Sequence, residues 1–446
     1  MQNSMLHQST VKTFFSYSIP CIISMFLTSF ITIVDGFFIG RKLGPDGLAA
    51  VNLTLPVLYL LLAITLLAGV GGVTLASQNL GEKNNLKANH YFTLTVAING
   101  IVILVISLIL LFFMKPVIRM LHAQGITFYY VKDFLGTMGF FYVFMMLNMT
   151  FSMFIRSEGK PVLSLFFGVA GNLINIILDY LFIFRFNLGM HGAALASGLS
   201  VLIPCCCGAI YFLYRHSVYK FTCFRFHWPD FWKLVANGSA EFVAQISGAI
   251  IIYVLNWVIL KRIGTTGVAA MTIIGYISFF QSMILTGIAI GIHPVMSYHY
   301  GAGDYRRITD MLSISLKTVV IIGIVFCLLS WSISGTIIGL FSGNSKALIK
   351  IATEGLKLFS FSFILNGYNI IATAYFTSLR NAKVAALISI LRNLVLILFF
   401  ILLLPVVLGN SGIWLAGPVT EVLTFWVSAA CILNSKNKQL QRKTET

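Results

Sequence analysis

Residues 43–50 read LGPDGLAA, and residues 263–270 read IGTTGVAA. Shifting the chain against itself by 220 residues superposes the two octapeptides and carries the match well beyond them. Gly44 meets Gly264, Gly47 meets Gly267, and Ala49 and Ala50 meet Ala269 and Ala270. Upstream, the basic pair Arg41 and Lys42 falls on Lys261 and Arg262; downstream, Gly71, Ser77 and Gly81 fall on Gly291, Ser297 and Gly301. Farther along, Gly192, Leu195 and Ala196 meet Gly412, Leu415 and Ala416, whereas Asn172 reaches Asn393 only at a shift of 221, so one residue has slipped. The chain reads as an internal duplication, with lobes expected over 1–222 and 223–446.

Composition identifies the solvent. Of 446 residues, 58% are hydrophobic and only 10% charged, where a soluble domain has about 45–50% and about 25%. The surplus apolar surface must face lipid, which excludes a soluble enzyme, a disordered chain and a disulfide scaffold. Twelve apolar stretches are long enough to cross a bilayer: 14–39, 51–77, 91–113, 134–155, 162–184, 192–214, 236–260, 269–297, 313–340, 355–379, 384–408 and 412–434. The first is too long for a signal peptide and carries Asp35 near its end. The predicted fold is therefore an all-α integral membrane protein of twelve transmembrane helices in two six-helix lobes. Six is even, so the lobes enter the membrane in parallel, an arrangement of transporters that bind substrate near mid-membrane and alternate access.

The net charge of +17 comes from 30 Lys and Arg against 13 Asp and Glu. These cations fall between apolar runs, where they suit anionic headgroups rather than nucleic acid. Their bias favours cytoplasmic termini in a multi-pass plasma (inner) membrane protein, supported by Arg215, Lys220, Arg225 and Lys233 between the lobes and by Lys436, Lys438, Arg442 and Lys443 in the tail. The seven cysteines form no C-x-x-C pair and read as buried small hydrophobes.

Four acids lie within the apolar stretches: Asp35, Asp179, Glu241 and Glu421. A carboxylate at the centre of a transmembrane helix costs about 2.5–3.5 kcal/mol, so each needs an interior partner or a task. Counting about 1.5 Å per residue, Asp35, Asp179 and Ser197 reach one level in the outer half of the first lobe. Asn172, Asn175 and Asp179 stand at i, i+3 and i+7, one polar stripe on one helical face. Two carboxylates, a carboxamide and a hydroxyl at one depth suit a small hard cation such as Na⁺, and two neighbouring carboxylates also raise one pKa and hold a proton. The same residues could instead form a hydrogen-bond network that joins three helices. Arg392 and Glu421, on adjacent spans at similar depth, are expected to form a structural ion pair. Glu241, with Gln245 one turn on, either lines the inner vestibule or caps its helix. Met149, beside Met145 and Met146, is a candidate for a cavity that accepts bulky organic cations, although packing explains thioethers and aromatics equally well. No H-E-x-x-H, G-x-S-x-G or P-loop is present, so no enzyme is indicated.

Several runs, in order and at matching spans, carry a resemblance: IVDGFFIGRKLGPDGLAAVNLTLP around Asp35, GNLINIILDYLFIF, HGAALAS, LKRIGTTGVAAMTIIGY and GIAIGIHPVMSYHYGAGDYRRI. Together they resemble the multidrug and toxic compound extrusion (MATE) family, most closely its bacterial MepA-like branch, over nearly the whole chain. The resemblance implies a monomeric twelve-helix antiporter that exports organic, mostly cationic, compounds in exchange for Na⁺ or H⁺, with no other cofactor. Carried over by position, the cation site comprises Asp35, Asn175, Asp179, the backbone carbonyl of Ala193 and the hydroxyl of Ser197. The last departs from the family, which commonly has Thr there. A Glu that some members carry deep in the seventh span is matched here by an apolar position near Ala249, which places coupling in the first lobe rather than at Glu241. The alternatives are a flippase for a lipid-linked precursor and a dedicated exporter of one metabolite. A flippase would be expected to line its cavity with cations for phosphate, and Arg392 is the one intramembrane cation well away from a span end.

Overall fold

The computed structural model describes residues 9–444 except 122, 215–216, 224–225 and 342–345; Arg215 and Arg225 lie outside the described residues, as do the side chains of the basic tail. Every regular element among the described residues is helical. In chain order these are α1 (Thr10–Gly81), α2 (Asn85–Phe112), α3 (Met114–Met120), α4 (Gly125–Ser157), α5 (Pro161–Asp179), a π-helical turn (Tyr180–Arg185) and α6 (Gly189–Leu213). The second half comprises α7 (Trp228–Arg262), α8 (Thr265–Gly301), α9 (Tyr305–Phe341), α10 (Lys346–Phe359), α11 (Phe361–Ser378), α12 (Ala382–Ile390), a second π-helical turn (Leu391–Val395), α13 (Leu396–Leu408) and α14 (Asn410–Thr444).

The duplication seen in the sequence is repeated in the backbone. Gly44 breaks α1 at φ 69°, ψ −162°, and Gly264, 220 residues on, separates α7 from α8 at φ 88°, ψ −166°; that region is open in practice only to glycine. Positive φ recurs at the same shift for Lys83 and Gly303 and for Gly189 and Gly409, and at a shift of 221 for Gly159 and Arg380. Asn84 caps α2 by accepting from Lys87 N at 3.1 Å, and Asp304 caps α9 by accepting from Arg307 N at 3.2 Å, again 220 residues apart.

Eleven helical segments among the described residues are long and apolar enough to cross a membrane. The remaining predicted span, 355–379, is interrupted at Ser360 between α10 and α11. α11 carries Asn366 and Asn369 in its middle, which lowers its apolar character without removing it from the twelve-helix arrangement. Side chains such as Phe112, Leu213 and Val406 are more than two-thirds exposed, as lipid-facing residues should be.

The chain divides into two compact units, 19–238 and 9–18 with 239–446. The boundary thus falls at Gly238/Ser239 rather than at 222/223, for two reasons. The first turns of α7 pack on α1 so closely that a Cβ on Gly238 would stand 1.8 Å from Leu67 O, and one on Gly71 would stand 2.0 Å from Leu234 O. The connecting strand is also stitched to the first unit, with Lys220 N donating to Asn89 Oδ1 at 3.0 Å and Thr222 N to Thr93 Oγ1 at 3.0 Å. Residues 9–18 join the second unit by a matching contact, with Gly291 against Tyr17 O. Leu61, Ile103, Leu135, Tyr142, Met146 and Ile183 centre the core of the first unit. Ile259, Ile274, Leu356, Phe363 and Trp414 centre that of the second.

All seven cysteines are free thiols. Cys21, Cys205 and Cys327 are buried, but Cys206 and Cys223 are exposed, so uniform burial does not hold: successive residues of the 205–207 run point around the helix rather than to one side.

Candidate cation site in the first unit

α5 starts with Pro161 at its first turn, where the missing N–H costs nothing. Ser164, Gly171, Asn175 and Asp179 form its buried face, at spacings that keep one side of a helix turned inward. Asp179 is 1% and Asn175 4% exposed. The helix then widens into the π-helical turn at Tyr180–Arg185, a distortion frequent at functional sites. Asn172 lies on the same stripe, half-buried.

Asp35 reaches this point from α1, half-buried, and its carboxyl faces that of Asp179 closely enough for each to be the other's electrostatic neighbour. Among the described residues no donor reaches Asp35 Oδ1, Asn175 Oδ1 or either carboxylate oxygen of Asp179. Ionised carboxylates only accept hydrogen bonds, so two carboxyls face one another with no donor to these oxygens among the described residues, and Asn175 stands one turn from Asp179. Leaving buried acceptors so costs about 1–3 kcal/mol each.

The crossing of α5 and α6 sets the level of the other two predicted ligands. A Cβ on Gly171 would stand 2.9 Å from Ser200 O, and one on Gly192 would stand 3.0 Å from Phe182 O. Between these crossings α5 carries Asn175 and Asp179 and α6 carries Ala193 and Ser197. Ala193 is buried; Ser197 is half-buried, and its carbonyl accepts from Ser200 Oγ at 2.8 Å. Among the described residues no group of three or more His, Cys, Asp or Glu could hold a metal ion, so any ion here would rest on two carboxylates completed by neutral oxygens.

The other candidates lie elsewhere. Met149 is half-buried on α4, while Met146 and Met145 belong to the apolar core. Glu241 and Gln245 are half-buried on α7, which begins at Trp228. Glu241 therefore does not cap the helix start, because the polar stretch before 236 is itself helical. Its electrostatic neighbour is Arg392, and Ser389 Oγ donates to the adjoining Ala240 O at 2.7 Å.

Arg392 stands in the second π-helical turn. Its Nε donates to Glu421 Oε1 at 2.9 Å and to Oε2 at 3.1 Å, and its Nη2 donates to Asn366 Oδ1. Asn369 Nδ2 donates to Glu421 Oε2 at 2.7 Å and to Glu421 O at 3.0 Å. The expected pair is thus a network, and the two carboxamides of α11 were missed in the sequence. Their signal was available: Asn366 and Asn369 stand three apart on one face of an apolar helix.

Glu158 was also missed, because it sits in a polar turn that reads as solvated. It is 5% exposed and accepts from the Tyr211 hydroxyl, from Ser217 Oγ at 2.7 Å and from Tyr219 N at 2.8 Å. Lys160 Nζ donates to the Tyr211 hydroxyl at 2.6 Å. Tyr219 is fully buried, and burial pushes its phenol up to about 12, so it stays uncharged at neutral pH.

A helical duplication with eleven segments fit to cross a bilayer and a buried acid pair in one repeat define a multi-pass membrane protein of transporter architecture. The family model MatE matches residues 20–181 and 242–402, one segment in each repeat, and the chain belongs to that family. It is 27% identical over 419 residues to the multidrug export protein MepA of Staphylococcus saprophyticus, covering 93% of this chain and 90% of the relative. The MepA of Staphylococcus aureus strain MRSA252 is 27% identical over 390 residues, covering 86% and 85%. Among solved structures, a multidrug resistance MATE family transporter in an outward-facing conformation superposes with a TM-score of 0.89 at 21% identity, covering 97% of this chain and 98% of that one. The Vibrio cholerae MATE transporter VcmN gives 0.90 at 19% identity, covering 96% and 97%. These likenesses establish the twelve-helix MATE fold.

Proposed function

We propose that the chain is a secondary active transporter that exports organic, chiefly cationic, compounds by antiport with Na⁺ or H⁺. The observation that carries this reading is the facing pair Asp35 and Asp179, with Asn175 beside them and four unpartnered buried oxygens. Two ionised carboxylates at that distance in a poorly polarisable interior repel one another, and a single cation or shared proton removes the repulsion. Occupation of the site is thereby tied to the energy of the helices that carry the two acids, α1 and α5, which is the coupling an antiporter needs. The relatives' names, multidrug export proteins, support the export of drug-like compounds, and the absence of an enzyme motif agrees with transport. We place the chain in the plasma membrane with both termini cytoplasmic, on the charge bias of its connecting segments, and take it as a monomer on its resemblance to the family.

The driving force is sufficient. One charge crossing 100 mV releases about 2.3 kcal/mol, and a tenfold gradient requires about 1.4 kcal/mol, so one coupling ion per cycle sustains roughly a fifty-fold gradient. In proteoliposomes, substrate efflux should rise under an imposed Na⁺ gradient or an imposed pH gradient, and the gradient that works identifies the ion. Asp35→Asn and Asp179→Asn should each abolish ion-driven efflux while the purified protein stays folded and still binds substrate. Wild-type rates in either variant would remove coupling from this site.

A further inference from the structure

A groove of about 790 Å³ opens between α7 and α8 of the second unit, lined among others by Tyr253, Asn256, Trp257, Leu260, Val268 and Thr272. Its volume is that of a site for a drug-sized molecule. Its walls are largely apolar, yet Tyr253 is 74% and Trp257 52% exposed, and the exposed Asn256 stands among them. From Arg262 at the end of α7, Asn256 lies about 9 Å and Tyr253 about 13 Å along the axis. Of these groups the Asn256 carboxamide is the one hydrocarbon accommodates worst, and it marks a surface that meets water or ligand.

Lys261 shows what the groove prefers. Its Nζ lies over the Trp257 ring, 5.4 Å from the centroid, so the indole face already carries a tethered cation. The first repeat keeps the same step, with the Arg41 guanidinium 5.9 Å over Phe37, but its surroundings differ. Asn256 and Leu260 correspond there to Gly36 and Gly40, and Leu48 closes over Gly40, its Cδ1 3.0 Å from where a Cβ would stand. In the second repeat Val268 takes the place of Leu48 and itself lines the groove.

We propose that this groove is a binding subsite for flat lipophilic cations, with Trp257 as the aromatic seat, Asn256 and Tyr253 as polar contacts and Lys261 as a built-in competitor for the indole face. The inference rests on the export of organic cations proposed above and adds where they bind. An incoming cation displaces the Lys261 ammonium, which swings back when the ligand leaves, so the side chain limits affinity and speeds release.

The test uses the full chain purified in detergent, with radiolabelled tetraphenylphosphonium in equilibrium dialysis and triphenylphosphine oxide as a neutral control. Trp257→Leu should weaken tetraphenylphosphonium binding about 2- to 30-fold, the range of a lost cation–π contact, and Trp257→Phe should lie between it and wild type. Lys261→Met should tighten it, a gain that misfolding cannot produce, and should leave triphenylphosphine oxide unchanged. Wild-type binding and efflux that neither Trp257→Leu nor Lys261→Met alters would overturn the subsite and leave cation export standing. A wild-type chain that neither binds nor exports the cation would overturn both. If phospholipid is retained in the wild type and lost in Trp257→Leu, with tetraphenylphosphonium binding unaltered, the groove is a lipid seat and the proposal falls.

Discussion

Replacing Arg392 by Met would cut the second unit's polar network at its centre. Glu421 would lose both hydrogen bonds from Arg392 Nε and keep only the carboxamide of Asn369, while Asn366 Oδ1 would lose its guanidinium donor. The side chains of the pair are 15% and 12% exposed, so solvent screens little of the loss. Breaking a buried pair by removing one partner costs about 3–5 kcal/mol. If Arg392 and Glu421 were an isolated pair, removing both with Met would restore most of that. The structure says otherwise: the double variant takes the guanidinium donor from Asn366 Oδ1 and leaves Asn369 Nδ2 with the backbone carbonyl at 421 alone, so at about 1–3 kcal/mol for an orphaned buried group it should stay below wild type. Only the fourfold variant R392M/E421M/N366L/N369L should recover. Denaturant unfolding in micelles, followed by circular dichroism and by the elution of folded protein, reads the series. A double variant as stable as wild type would show that the carboxamides do not belong to the network. A fourfold variant as unstable as R392M alone would show that polar satisfaction is not what holds these helices together.

Glu158→Ala should loosen the segment 217–219, because Ser217 Oγ, Tyr219 N and the Tyr211 hydroxyl all lose their shared acceptor, while Lys220 and Thr222 stay held by Asn89 and Thr93. Hydrogen bonds to a charged group contribute about 1.5–3 kcal/mol each, so limited proteolysis at 217–219 should accelerate at least tenfold, and an unchanged cleavage rate would count against the latch. Gly44→Ala and Gly264→Ala meet no atom within 4 Å, so their cost is backbone conformation alone, about 1–3 kcal/mol each. The double variant should add the two within about 0.5 kcal/mol, since the residues occupy different units, and a fully stable G264A would contradict the observed φ and ψ.

The repeat was legible because glycine has positional meaning. Gly44 and Gly264 were visible as letters at a fixed shift, and each sits where only glycine fits. The charged side chains were legible because charge is rare in apolar sequence, which is why Asp35, Asp179, Arg392 and Glu421 stood out. Neutral amides carry no such contrast, so Asn366 and Asn369 passed as part of an ordinary span. Glu158 escaped for the opposite reason: in a turn rich in charge, nothing in the sequence distinguishes a carboxylate buried under three donors from one in water. The π-helical turns after Asp179 and at Arg392 left no trace in hydrophobic period, since a single widened turn shifts it by one residue over a helix that is apolar on most sides.

The two repeats share a backbone and divide the chemistry. Asp35 corresponds to Leu255 at a shift of 220, and Asn175 and Asp179 correspond to Leu396 and Phe400 at 221. Leu255 and Phe400 pack against the apolar core of the second unit. Where the first unit gathers orphaned oxygens, the corresponding positions of the second are apolar and supply no oxygen ligand. Conversely, Arg392 corresponds to Gly171, the residue that lets α5 and α6 approach at Ser200 O. Gly171 closes the helix crossing by contact; Arg392 closes the equivalent one by bridging to Glu421. Glu421 is thereby neutralised by a cation covalently part of the chain, and such a charge cannot be exchanged with either side of a membrane. The proposed coupling therefore falls on Asp35 and Asp179, whose carboxyls have no such fixed cation among the described residues, and not on Glu421, which has one.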